Sequence, residues 1–208
     1  MRIAPTLMRD DAAPVATVRQ AFGIASLDAA LGGGLARGFV HEVYAAEMDD
    51  AAAAAGFALA LATCLTGTEH RVLWLRTQRT AQQGGVAQAN GWAELGGTPG
   101  LGLVGVVCDT MTLLRAAVDA LRCTALGAVV VENRGAMREL DLTASRRLTL
   151  AAEKSGVPLL LLRSDAAPVP SAAQTRWQVA AAPSHALPGN APGWPTFDVT
   201  LLRQRSGP

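Results

Sequence analysis

The chain predicts an α/β fold: a mainly parallel sheet with helices on both faces and an antiparallel hairpin at one edge. Three observations predict it. Short Val/Leu-rich runs alternate with longer helical stretches, the pattern of repeated βαβ units. The run Gly127-Ala-Val-Val-Val131 shows no apolar/polar alternation, as expected of a central parallel strand covered on both sides. The last two strand-like runs, 175–181 and 196–203, do alternate and flank a Pro/Gly-rich stretch at 183–195, which marks an antiparallel edge pair.

In chain order, residues 1–20 mix polar residues, two prolines and scattered hydrophobics and read as an arm. A turn of helix is expected over 24–31, capped by Ser26 before Asp28, and Gly32-Gly33-Gly34 ends it. A first strand follows at 39–44, then an apolar helix at 51–65, nonpolar enough to be buried on most sides. Residues 71–76 form the second strand. The polar stretch 80–95 reads as a helix broken at Gly84-Gly85 and Gly91. A third strand at 101–107 leads to a helix at 110–123, where Leu113, Leu114, Ala117, Val118 and Leu121 recur at helical spacing. The fourth strand (127–131), a helix (142–155) and a fifth strand (157–162) complete the parallel part. No internal repeat or long linker divides the chain, so the expectation is an arm at 1–21 and one domain at 22–208.

Composition narrows the function. Half of the 208 residues are hydrophobic but only 4% are aromatic, so the core is built from Ala, Leu and Val. A net charge of +1 argues against nucleic-acid binding by bulk charge. Cys64, Cys108 and Cys123 are odd in number, lack a CxxC and sit in apolar surroundings; they read as small buried hydrophobes of a reducing compartment. No signal-peptide core precedes residue 20, and the run 51–62 is interrupted by Gly56 and short for a bilayer, so a cytoplasmic protein without membrane contact is expected. His41, His70 and His185 are scattered, with no acid or cysteine at metal-ligand spacing.

One stretch carries most of the functional argument. Ser26-Leu-Asp-Ala-Ala-Leu-Gly-Gly-Gly-Leu-Ala-Arg-Gly38, followed by a strand ending His41-Glu42-Val43-Tyr44, resembles the opening of the RecA core, S-L-D-x-A-L-G-x-G-G-L-P-x-G and then E-I-Y-G with a phosphate loop. The likeness continues in order to the C-terminus. With the stretches 141–163 and 173–179, it is most similar to the ImuA family of RecA-like accessory proteins in bacterial translesion DNA synthesis. The fold this implies is a RecA-like three-layer core.

A working phosphate loop, G-x-x-x-x-G-K-[ST], uses glycines to let backbone amides approach the phosphates, a lysine to neutralise them and a hydroxyl to hold magnesium. Matched to the RecA pattern, the first glycine falls on Ala45, the second on Asp50, the lysine on Ala51 and the hydroxyl on Ala52. The single lysine of the chain is Lys154, far away in sequence. Two carboxylates, Asp49 and Asp50, stand where phosphates would arrive and would repel them by something on the order of 1 kcal/mol or more per close pair. The acid that activates water falls on Gln78. Only the Walker-B position keeps a carboxylate, Glu132, expected to tie down a neighbouring loop. The expectation is a non-enzyme without a nucleotide cofactor or metal.

The two RecA loops that face DNA correspond to 133–140 and 164–170. The first offers Arg134 and Arg138, with Arg146 and Arg147 on the next helix, as candidate phosphate contacts; the second has an acid and no base. Candidate partner contacts are Trp177, Trp194, Arg203 and Arg205 near the C-terminus, and the arm, which in RecA-type proteins packs on the next protomer. The ImuA resemblance implies as partners ImuB, a Y-family polymerase relative, and an error-prone C-family DNA polymerase, with RecA itself as a further one. The leading expectation is thus an accessory scaffold of SOS-induced mutagenic lesion bypass. The alternatives are a SulA-like division inhibitor binding FtsZ and a divergent RecA-type ATPase.

Overall fold

A computed structural model of the chain describes residues 18–205 apart from 68, 86, 87, 99 and 192. Most of the stretch read as an arm lies outside the described residues. Its end, Arg19–Gln20 (β1), pairs antiparallel with Leu35–Ala36 (β2), and Arg19 donates to the carbonyls of Leu31 and Gly34. Strands of two residues are too short to show a period in sequence. Between them, α1 (Ala25–Ala30) is not capped by Ser26, which lies inside it. Instead the Asp28 carboxylate reaches back to the amides of Phe22 at 2.8 Å and Gly23 at 3.0 Å. Gly34, at φ 121°, cannot carry a side chain: a Cβ would lie 2.3 Å from the Gln20 carbonyl oxygen of β1.

The main sheet has seven strands. They are β3 (Val40–Ala45), β4 (Arg71–Thr77), β5 (Gly102–Val107), β6 (Leu126–Arg134), β7 (Leu159–Ser164), β8 (Thr175–Ala181) and β9 (Phe197–Gln204). Their spatial order is β5-β4-β6-β7-β3-β8-β9, parallel throughout except for the antiparallel β8–β9 pair. The expected parallel core and edge hairpin are both present. β6 runs three residues beyond the expected 127–131, to Arg134, because its polar end stays hydrogen-bonded to β7.

Alternate side chains of these strands feed two cores. On one face α2 (Ala51–Thr66) packs Ala54, Phe57, Ala58, Leu61 and Leu65 against Val43, Val130, Leu160 and Trp177. This i, i+3, i+4 stripe of small and large residues lets the helix sit close to the sheet. On the other face α5 (Thr110–Leu121) and α6 (Leu142–Ser155) cover Val40, Val129, Val131, Leu159 and Leu161. Asp109 and Asp141 cap these helices through the amides of Thr112 and Ala144, each at 2.7 Å. Gly156, at φ 77°, ends α6 in the left-handed conformation. The broken polar helix is two helices, α3 (Gln78–Gly84) and α4 (Ala89–Glu94).

Three details depart from expectation. With its preceding 3-10 turn, α2 spans 19 residues, Met48–Thr66, among the described residues the one helix long and apolar enough to cross a membrane by length and composition; here it packs on the sheet. Cys108 and Cys123 are exposed, and Cys64 is half-buried. The apolar neighbours of the first two belong to strand β5 and helix α5, and both cysteines lie just past the ends of those elements. Lastly, β5 is an edge strand whose Leu103, Val104 and Val106 remain exposed.

Candidate functional site

The stretch matched to a phosphate loop runs from the end of β3 through a 3-10 turn, Met48–Asp50, into α2. No residue from 45 to 52 has a positive φ, so the chain enters the helix directly and forms no open glycine cradle. Two acids close the turn on each other. The Asp50 Oδ2 accepts from the Glu47 amide at 3.1 Å, while the Glu47 side chain accepts from the Asp50 amide; this is a capping box built from carboxylates. The Asp50 Oδ1 accepts from the Ala181 amide at 2.8 Å, and the Ala46 amide donates to Val179. The turn is thereby stitched to the end of β8. A negative group is favourable at a helix N-terminus, and Asp50 supplies it from within the chain. Ala45, Ala51 and Ala52 add methyl groups, and neither a cation nor a hydroxyl lies at the lysine and serine/threonine positions.

Glu132, near the end of β6, is equally committed. Its Oε2 accepts from the Trp74 indole at 2.7 Å and its Oε1 from Arg76 at 3.1 Å. Arg76, almost fully buried, also donates to the carbonyls of Thr80 at 3.2 Å and Gly85 at 2.8 Å. The acid therefore ties the α3 segment to the sheet through one arginine. Gly84 leaves room for that approach: a Cβ there would stand 2.6 Å from the Arg76 guanidinium and push it aside. Gln78, at the position of the water-activating acid, is exposed on the first turn of α3. Among the described residues no group of three or more His, Cys, Asp or Glu side chains converges as metal ligands do.

A second polar cluster, which the sequence reading missed, lies on the other face, where the later halves of β3 and β7 meet the start of β8. Glu42 and Arg176 are direct neighbours across β3 and β8 and form a buried ion pair at 2.6 Å. The Tyr44 ring lies between Arg163 at 5.9 Å and Arg176 at 5.6 Å. Burial raises the pKa of the Tyr44 hydroxyl, with Glu42 adding to it, and lowers that of Arg163. These arginines turn inward to hold loops: Arg163 donates to the Gly135 carbonyl at 3.3 Å, and Arg176 to the Val169 carbonyl and the Ser171 hydroxyl. They thus anchor the two loops matched to the DNA-facing loops of RecA. The legible signal was a charged residue in each of three strands, most plainly Arg163 after four leucines in β7.

The remaining candidates separate. Arg134 is half-buried at the end of β6, and Arg138 is exposed on the loop beyond it. Arg146 and Arg147 are exposed on α6, where Arg147 faces α5 across a groove. Trp177 is 1% exposed, stacked edge-on with Phe57 at 5.9 Å and Phe22 at 6.4 Å, with its indole donating to Thr175. The expectation that Trp177 meets a partner is corrected: it fills the core, because its position on β8 faces α2. Trp194 is 65% exposed. Arg203 and Arg205 donate to the carbonyls of Ser171 and Ala172, fastening β9 and its end to the second loop. Of the histidines, His41 is fully buried between Thr175 and the Ala36 carbonyl, and burial lowers its pKa to about 4.

The chain matches no family-level sequence profile. It is 34% identical over 205 aligned positions to Protein ImuA of Caulobacter vibrioides, in each of two strains, with 89% of this chain and 78% of the relative covered. At this identity over most of both lengths, the chain belongs to the ImuA family.

Proposed function

We propose that the protein is a non-catalytic, cytoplasmic accessory protein of SOS-induced mutagenic translesion DNA synthesis, acting through protein partners. The observation that carries the non-catalytic half is the Asp50 carboxylate, which already accepts from the Glu47 amide in the turn where a phosphate would have to bind, and from the Ala181 amide at the end of the neighbouring β8. Glu132 supports the same reading, since its carboxylate is engaged by Trp74 and Arg76. The role in damage tolerance rests on family membership, and fold alone does not set function. The partners it implies are an ImuB-like Y-family polymerase relative and an error-prone C-family polymerase, with RecA as a further candidate.

Isothermal titration with magnesium ATP tests the first half: no heat of binding is expected, and micromolar affinity overturns it. Co-purification of the tagged chain with an ImuB-like protein from the same cell tests the second. Capture of FtsZ with no capture of ImuB would assign the chain to division control instead.

A further inference from the structure

We propose that the groove between α5 and α6 docks an acidic, amphipathic helical segment of a protein partner. Two adjoining cavities of about 640 and 690 Å3 line this outer face and share Val118 and Arg147. Along α6 the residues Arg147, Leu150, Ala151 and Lys154 recur at helical spacing on one stripe, facing Val118 and Arg122 of the α5 end. The floor of the first cavity is apolar, with Leu150 left 52% exposed, although α6 buries Leu148 in the core below. Its rim is cationic: Arg122, Arg147 and Lys154 line it, and among the described residues no acid does. The only lysine of the chain is one of these three.

The charge is graded along the groove. The second cavity, at the helix N-terminal end, is lined by Asp119, Glu139 and Asp141 together with Arg115 and Met111. Asp141 is occupied in capping α6, and Asp119 pairs with Arg122 in an exposed contact that solvent screens. The net cationic end therefore coincides with the apolar cavity beside Leu150. An apolar floor under a cationic rim complements a helix with a leucine stripe flanked by Glu or Asp, laid into the groove. It complements nucleic acid poorly: among the described residues the first cavity has no aromatic side chain to stack a base, and three cations on one short rim do not track a phosphate backbone. This surface deepens the reading of the chain as a partner-binding protein and rests on it.

The test uses the full chain and fluorescence anisotropy with three labelled probes. They are a helical peptide of about 18 residues with leucines at i, i+3, i+4 and i+7 flanked by glutamates, the same peptide with lysines for glutamates, and single-stranded oligothymidine. The acidic peptide is expected to bind with an affinity that falls as salt rises. Binding should weaken at least tenfold in Arg147→Glu/Lys154→Glu and, separately, in Leu150→Asp. All three positions are exposed, and circular dichroism confirms folding of each variant. Absence of peptide binding, equal binding of the two peptides, indifference to both variants, or oligothymidine binding lost on the same substitutions each overturns the proposal. Such a failure without ATP binding leaves the non-catalytic reading intact, whereas ATP binding removes that reading whatever the peptide does.

Discussion

Replacing Asp50 by alanine is expected to destabilise the protein, although the residue sits in what resembles a nucleotide site and not in the core. Its carboxylate accepts from two backbone amides, Glu47 at 3.1 Å and Ala181 at 2.8 Å. The first is a capping interaction, whose loss costs about 1 kcal/mol. The second joins the start of α2 to the last residue of β8, and a hydrogen bond to a charged acceptor contributes about 1.5 kcal/mol before discounting for solvent. Asp50 is half-exposed, so the sum is discounted to about 2 kcal/mol. For a domain of this size that lowers Tm by about 4–8 °C. Urea unfolding of Asp50→Ala should show a lower midpoint with an unchanged m-value. Asp49→Ala, an exposed neighbour, should stay within about 0.5 kcal/mol of the parent. If Asp50→Ala is as stable as Asp49→Ala, the carboxylate does not brace the turn. If it gains magnesium ATP binding, the turn is a blocked site and not a rebuilt one.

Three further outcomes are expected. The His41 pKa is about 4 folded and near 6.5 unfolded, so its contribution is fully present above pH 6.5, declines as pH falls and is gone below about 4; the loss is about 3 kcal/mol. Urea midpoints measured from pH 8 to 4 should show this fall, and His41→Asn should flatten it. Glu132→Ala leaves the buried Arg76 uncompensated and should cost about 3 kcal/mol, with a change in tryptophan fluorescence as the Trp74 indole loses its acceptor. Val104→Lys on the edge strand β5 should lower concentration-dependent light scattering while leaving the urea midpoint within about 0.5 kcal/mol, because a lysine discourages strand addition at an open edge.

Much of the sheet was legible because buried parallel strands are continuous apolar runs and their helices carry a separate period: 127–131 and 142–155 are examples. The edge hairpin was legible from alternation, yet the same alternation left open which face Trp177 points to, and only packing against Phe57 fixes it in the core. The β1–β2 pair was invisible because two-residue strands have no period. At the site, the absent glycines, lysine and hydroxyl could be read directly at 45, 50, 51 and 52, whereas what Asp50 does instead could not. Its partner Ala181 is far along the chain, and the bond depends on where β8 ends. The Glu42–Arg176 pair was hidden for the same reason, since it forms across strands that are neighbours only in space.

The stitch between Asp50 and Ala181 also bears on how this lineage could change. Placing a glycine at 50, a lysine at 51 and a hydroxyl at 52 would first remove a fastening and gain nothing until all three were in place. Glu132 would then still have to be released from Arg76. A lone change at 50 costs a fastening and creates no phosphate site, so the exposed surfaces are the part of this chain freest to vary.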